Sequence, residues 1–173
     1  MVTGTVDAGG SSPSWRDTVH ATYLEVRGPL WRALLAWSGS TDVADEAVAE
    51  SFAQLLRRGD EVRDPAAWVW RAAFRLAAGD LQRRRRRASA GGPDQVDHLP
   101  KSPDRLPDEA IDLVRALAHL SDQQRRCLVL VDGAGHTAVS AAAVLDTSPA
   151  TVRVQLMRAR RRLRALLDDE VTP

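Results

Sequence analysis

The sequence predicts an all-α chain of two small helical domains joined by a flexible linker, on three observations. Both halves are rich in Ala, Leu and Arg and lack the Val/Ile/Thr alternation of strands. Apolar residues recur at helical spacing throughout both halves. Between them, residues 89–107 (SAGGPDQVDHLPKSPDRLP) hold four prolines and two adjacent glycines, the composition of a linker. The expected organisation is a tail over 1–14, a helical domain over 15–88, the linker over 89–107, a second helical domain over 108–167 and a tail over 168–173.

The first domain offers three helices. Val19, Tyr23, Val26, Leu30, Ala33 and Trp37 form the apolar stripe of the first, with a bend expected at Gly28-Pro29 and a stop at Gly39. Ser40-Thr41-Asp42 supply capping oxygens for the second. Its stripe is Ala44, Val48, Phe52 and Leu55, and Gly59 ends it. Asp64-Pro65 places a capping residue and a first-turn proline before the third. That helix carries Trp68, Val69, Ala72, Ala73, Leu76 and Leu81 before running into Arg83 to Arg87.

The second domain offers four. Asp108 to Leu120 puts Ile111, Val114, Leu117 and Leu120 on one face. Ser121-Asp122-Gln123-Gln124 has the form of a capping box and opens a short apolar helix through Val131. Asp132-Gly133-Ala134-Gly135 breaks the chain. A short Ala-rich helix over Thr137 to Leu145 and a turn at Asp146-Thr147 follow. Ser148-Pro149 then starts a long helix with Val152, Leu156, Ala159, Leu163 and Leu166 facing inward.

The net charge of the 173 residues is only +1, yet the charge is segregated. Arg71 to Arg87 carries seven arginines against Asp80 alone. Arg153 to Arg164 carries six arginines and no acid. Two basic segments on an otherwise acidic chain are the electrostatic footprint of a polyanion partner. Arginine also suits bidentate contact with phosphate and guanine. A codon bias toward arginine explains the same abundance without function.

Thr137 to Arg164 has helix-turn-helix form, whose second helix enters the major groove with its N-terminal turn leading. Ala150 and Val154 are small enough for close approach to the groove floor, and Arg153, Arg158 and Arg161 flank them. Trp68, Trp70 and Phe74 precede the arginine run and read as exposable aromatics beside cations, the chemistry of single-stranded nucleic acid binding. Packing in the apolar interior is the competing reading for each of them. Asp42, Asp45, Glu46 and Glu50 form an acidic helix face, suited to solvent or a partner surface.

Other classes find no support. No apolar run exceeds five residues, so no membrane span is expected, and Met1 to Ser14 lacks the pattern of a secretory signal. A cytoplasmic protein is expected. The single Cys127 excludes an internal disulfide, and the four histidines have no ligand spacing, so neither metal nor cofactor is expected. No nucleotide, hydrolase or metalloprotease motif occurs, and no enzyme is expected.

Together the parts resemble the extracytoplasmic-function sigma factors, the smallest members of the bacterial sigma-70 family. DVADEAVAESFAQLL (Asp42 to Leu56) is similar to their core-binding helix, and DPAAWVWRAAFRLAAGDLQRRRRR (Asp64 to Arg87) to their promoter-melting helix. LSDQQRRCLVL (Leu120 to Leu130) and SPATVRVQLMRARRRLRALL (Ser148 to Leu167) resemble the C-terminal domain. The resemblance implies an alternative sigma factor whose catalytic site belongs to RNA polymerase. It implies core-polymerase contacts, to the β′ coiled coil and the β flap, with Asp45, Glu46, Glu50, Phe52 and Gln54 on the coiled-coil side. It implies minus-ten contacts from Trp68, Arg71, Phe74, Arg75, Arg83 and Arg84. It implies minus-thirty-five contacts from Ser148, Ala150, Thr151, Arg153, Val154, Gln155, Arg158 and Arg161. An anti-sigma factor is a further partner the family allows.

The chain departs from the family pattern in places. Phe74-Arg75 stands where Arg-Asn is common, and Asp80 is shifted by one from the usual Asp, which is Gly79 here. Ser140-Ala141 replaces a Glu-Ile pair, Asp146 a turn glycine and Gln155 a basic residue. Two further readings stay open from the residues: a stand-alone helix-turn-helix regulator, and a polymerase-binding protein without promoter reading.

Overall fold

The computed structural model describes residues 14–90 and 108–171, all helices and turns without a strand among the described residues. Residues 1–13, 91–107 and 172–173, most of the expected N-terminal tail and linker, lie outside them; the expected C-terminal tail does not begin at 168, because α7 continues through 171, and 89–90 of the expected linker still belong to α3. In chain order the helices are α1 (Trp15–Ser38), α2 (Thr41–Arg58), α3 (Pro65–Ala90), α4 (Asp108–Ala118), α5 (Asp122–Leu128), α6 (Ala138–Leu145) and α7 (Pro149–Val171). A 3₁₀ turn (Gly59–Glu61) follows α2 and a π-helical turn (Val129–Gly133) follows α5.

The local signals act where their chemistry predicts. Ser14 caps α1 in a full capping box with Asp17. Hydrogen bonds from Ser14 hold the Asp17 carboxyl below its ordinary range. Gly39 ends α1 in the left-handed conformation, φ 69°, and its N–H donates to the Leu35 carbonyl at 2.8 Å. The Asp64 carboxylate accepts from the Ala67 N–H at 2.9 Å at the start of α3. Ser121 and Gln124 close the expected capping box of α5.

α1 runs through Gly28-Pro29, where a bend is expected, as one helix. Pro29 offers no N–H to the Glu25 carbonyl, but Glu25 is exposed, so water can take that acceptor. The helix after Ser121 does not simply break at Asp132-Gly133; it widens into the π turn and continues to Gly133. There the His136 N–H returns to the Leu130 carbonyl at 2.9 Å.

α1, α2 and α3 pack against one another as the first block. α5, α6 and α7 form the second, with Val152 and Ala159 of α7 fully buried and Leu156 nearly so. The interior does not stop at the block boundary. α4 lies on α1, α6 lies on α3, and α5 and the π turn also touch α1. One continuous cluster runs from Val19 to Ala159. Blocks of roughly 74 and 60 residues are near the lower limit for a self-supporting interior, and here they share one.

Candidate polymerase and nucleic-acid interfaces

The acidic face lies on α2. Its apolar stripe (Ala44, Val48, Phe52, Leu55) is buried against α1 and α3, which turns Asp42, Asp45 and Glu46 to solvent. Asp45 is positioned by α1: the Trp31 indole N–H donates to its Oδ1 at 2.7 Å. Glu50 accepts from the Gln54 amide at 2.9 Å and from the Arg57 guanidinium at 2.7 Å. Those two bonds, Gln54 first, hold its carboxyl below the ordinary carboxylate range. Asp42 and Glu46 make no ion pair among the described residues. Glu46 and Glu50 line a shallow groove whose other wall is Asp80 and Arg83 of α3.

Phe52 is different. It is buried, and the Tyr23 ring meets it edge-on at 5.0 Å. Its place on the apolar stripe outweighs its neighbourhood of carboxylates, because burying an aromatic ring removes a large apolar area from water. Leu56, one turn further on, is the exposed apolar residue of this helix. The stripe steps by four from Ala44 to Phe52 and then by three to Leu55, which leaves Leu56 off the buried face.

α3 carries the arginine run on one side and buries the other. The expectation that Trp70 and Phe74 are exposable is not met: they are 7% and 3% exposed. Phe74 stacks on Trp37 of α1 at 5.3 Å and on Trp70 at 6.1 Å. Trp70 in turn meets His136 of the second block edge-on at 4.5 Å. The helical period told that these rings share a face, but not that another part of the chain covers it. Trp68 is half-buried, with the Arg58 guanidinium 5.6 Å from its ring centre. Arg71, Arg75, Arg83 and Arg85 to Arg87 are exposed. Asp80 takes Arg84 at 2.5 Å and Arg83 at 3.2 Å, which tempers part of the run.

The helix-turn-helix is formed by α6, the turn at Asp146-Thr147 and α7. Asp146 sits at φ 52° and ψ 54°, the one non-glycine with positive φ among the described residues. Its N–H and that of Thr147 both return to the Ala142 carbonyl, which closes the end of α6. Ser148 begins α7, accepting from the Thr151 N–H at 3.1 Å while the two hydroxyls lie 2.8 Å apart. Ala150, Arg153, Val154, Met157, Arg158 and Arg161 are exposed, and Thr151 and Gln155 are half-buried. The small and basic residues therefore share one solvent face. Arg160 leaves that set: it binds Asp132 through Nε at 3.0 Å and Nη2 at 2.6 Å. A count of arginines along the sequence could not see a partner 28 positions away.

Between α3 and α5 a second cleft is lined by Arg75, Gln82 and Arg85 on one side and Asp122 and Arg126 on the other. Among the described residues no group of His, Cys, Asp and Glu is arranged to hold a metal ion. No described helix is long and apolar enough to cross a membrane.

Known proteins match both blocks. The sigma-70 region 4 family model matches residues 110–163. The ECF RNA polymerase sigma factor EcfG of Rhodopseudomonas palustris (strain TIE-1) is 28% identical over 158 residues, covering 89% of this chain and 85% of the relative. The ECF RNA polymerase sigma factor ShbA of Streptomyces griseus is 34% identical over 136 residues, covering 73% of this chain and 71% of the relative. Among solved structures, the sigma factor RpoE in complex with the anti-sigma factor NepR from Bartonella quintana shares the fold at TM-score 0.72 and 22% identity, over 87% of this chain and 97% of that one. CnrH in complex with the cytosolic domain of CnrY matches at TM-score 0.67 and 25% identity, over 89% of this chain and 90% of that one.

Proposed function

The chain belongs to the extracytoplasmic-function RNA polymerase sigma factors, and from that premise we propose how its two blocks divide the work. It is an alternative sigma factor: it joins core RNA polymerase and directs initiation at particular promoters. Sigma factors are regulatory subunits without chemistry of their own. The bond-forming site of transcription is the polymerase's, and we assign no catalytic residue to this chain.

In our reading the first block, residues 15–88, docks on the β′ coiled coil through Asp45, Glu46, Glu50 and Gln54 of α2. Phe52 contributes by holding that helix in place from beneath. Arg71, Arg75, Arg83 and Arg84 of α3 attract the minus-ten DNA, and the half-buried Trp68 stands at their edge. Phe74 can meet DNA only if the covering helices move. The second block, residues 108–167, reads the minus-thirty-five element with Ala150, Arg153, Val154, Gln155, Arg158 and Arg161, while Ser148 and Thr151 set the start of α7 against phosphate. The linker over 89–107 joins the two, and the β flap is a further contact of the second block. An anti-sigma factor is the regulator we expect, as RpoE and CnrH were both solved with a partner. The chain works with the polymerase in the cytoplasm, which makes it nucleoid-associated.

The observation that carries this reading is the pairing, in one chain, of a solvent-facing acidic helix with an exposed arginine face on a helix-turn-helix. A stand-alone regulator explains the second and leaves the first without a partner. Co-elution of the purified chain with bacterial core polymerase tests it, with and without Asp45→Arg/Glu46→Arg. Stable co-elution, lost in the double variant, is the expected result. No co-elution by the wild type, or co-elution untouched by the charge reversals, overturns the assignment of the acidic face.

A further inference from the structure

The cleft between α3 and α5 is short of negative charge. It holds about 440 Å³, room for roughly 15 waters at about 30 Å³ each. Arg75 and Arg85 on the α3 wall are exposed and make no ion pair among the described residues. Arg126 stands on the α5 wall. The one carboxylate of the lining, Asp122, is already committed. Its Oδ2 holds Arg126 at 2.6 Å and its Oδ1 accepts the Trp37 indole N–H at 2.8 Å. Three guanidinium groups therefore share one occupied carboxylate.

The shortage is felt beyond the lining. Burial pushes the neighbouring Arg125 guanidinium below the usual arginine value, and the charge on Arg85 acts in the same direction against the pull of Asp122. Arg126 Nε is buried and makes no hydrogen bond among the described residues. A guanidinium stripped of water on one edge gains most from an added anion. Asp80, the acid nearest in sequence on α3, does not serve this side. It pairs with Arg83 and Arg84 and lines the groove toward α2.

α3 also keeps the floor of the cleft low. Gly79 lies there in mid-helix, although glycine costs a helix interior stability relative to alanine. It does not have positive φ, and a Cβ there would meet nothing nearer than Arg83 Nη1 at 3.5 Å. Neither a turn nor close packing demands glycine at this position. Its effect is to leave space in front of the arginines.

The spacing of the donors selects among anions. Arg75 and Arg85 are ten positions apart, about 15 Å along the helix axis. A single phosphate engages one or two guanidinium forks, whereas a chain of phosphates follows such a row. Gln82, between them in sequence, adds an uncharged N–H donor.

We propose that this cleft is a binding site for a triphosphate-class anion, held by Arg75, Arg85 and Arg126 with Gln82 as a further donor. Inorganic tripolyphosphate and the triphosphate of a nucleotide offer the same chemistry. The site lies apart from the arginine face of α7, and its existence does not depend on the sigma-factor reading.

The test is calorimetric titration of the full chain with sodium tripolyphosphate, inorganic phosphate and ATP at 150 mM salt. At that ionic strength the Debye length is about 8 Å, which mutes attraction to the exposed run at the end of α3. Tripolyphosphate should saturate a single site and bind at least about tenfold tighter than inorganic phosphate. Arg126→Gln should weaken it about tenfold or more. Gly79→Asp should do the same by placing a carboxylate on the floor, and it leaves every arginine in place. Arg86→Gln/Arg87→Gln, outside the cleft, should stay within about twofold of the wild type. Equal affinities for tripolyphosphate and ATP assign the site to the phosphate chain alone, and tighter ATP binding adds the nucleoside to it. No saturable binding by the wild type overturns the proposal. So does a loss in Arg86→Gln/Arg87→Gln as large as in Arg126→Gln, which marks diffuse attraction to the basic run. Circular dichroism checks the fold of each variant, and if Arg126→Gln loses helicity, Gly79→Asp decides alone.

Discussion

Replacing Arg153, Arg158 and Arg161 together by Ala should remove most of the electrostatic grip of α7. All three side chains are exposed, and the residues that hold α7 in place, Val152, Leu156 and Ala159, are untouched. The variant should therefore fold. Each arginine that neutralises a phosphate adds about 0.9 to the slope of log affinity against log salt. Losing three lowers that slope by about 2.7. Between 50 and 200 mM salt, wild-type affinity for duplex DNA should then fall about 40-fold more than that of the variant. Fluorescence anisotropy with a labelled duplex across that range reads both slopes. Arg160→Ala is the internal control. Its guanidinium is already neutralised by Asp132, which also raises its pKa above the usual arginine value. Its slope should match the wild type, with little change in stability because the pair is exposed to solvent. A triple variant with the wild-type slope, or an Arg160→Ala variant that changes it equally, refutes the assignment of this face to DNA.

Three further outcomes follow from the geometry. Phe52→Ala should cost about 3–4 kcal/mol and lower the melting temperature by roughly 10 °C, whereas the exposed Leu56→Ala should stay within about 0.5 kcal/mol; calorimetry separates them, and a mild Phe52→Ala would return that ring to the binding surface. Asp146 occupies the left-handed region, so Asp146→Val should lose about 1–2 kcal/mol while Asp146→Gly stays within about 0.5 kcal/mol of the wild type, as read by denaturant midpoints. Burial against Trp70 lowers the pKa of His136 below its ordinary 6.5. The unfolded chain thus binds more protons than the folded one below that pH, and stability should rise with pH through that window. The contribution is complete above about pH 6.5 and shrinks on acidification; thermal melts of His136→Gln should lose this part of the slope.

Much of the fold was legible because local chemistry fixes it. Ser40, Asp64, Ser121 and Ser148 cap helices where oxygen-bearing side chains precede apolar periods, and Gly39 and Gly59 end helices at positive φ. The exposed face of α7 followed from the same periodicity, since Val152, Leu156 and Ala159 left only one side for the arginines. Periodicity says which residues share a helix face, not what covers that face. Trp70 and Phe74 therefore read as exposable, although α6 and Trp37 bury them. The Trp37–Asp122 and Arg160–Asp132 pairs join positions far apart in sequence, and no short window contains either. Phe52 stood on both an apolar stripe and an acidic helix, and only packing against Tyr23 separates the two roles. The shared interior of the two blocks was illegible for the same reason: size alone left each block marginal, without saying that they stabilise each other.

The most direct test of the central claim is transcription from genomic DNA of the chain's own source by core polymerase, alone and with the chain added, with transcript 5′ ends mapped. A sigma factor should give discrete new start sites on addition of the chain, lost with Asp45→Arg/Glu46→Arg and weakened with the Arg153, Arg158 and Arg161 triple variant. Start sites unchanged by the chain, with core polymerase shown to be active on a second sigma factor, would contradict it.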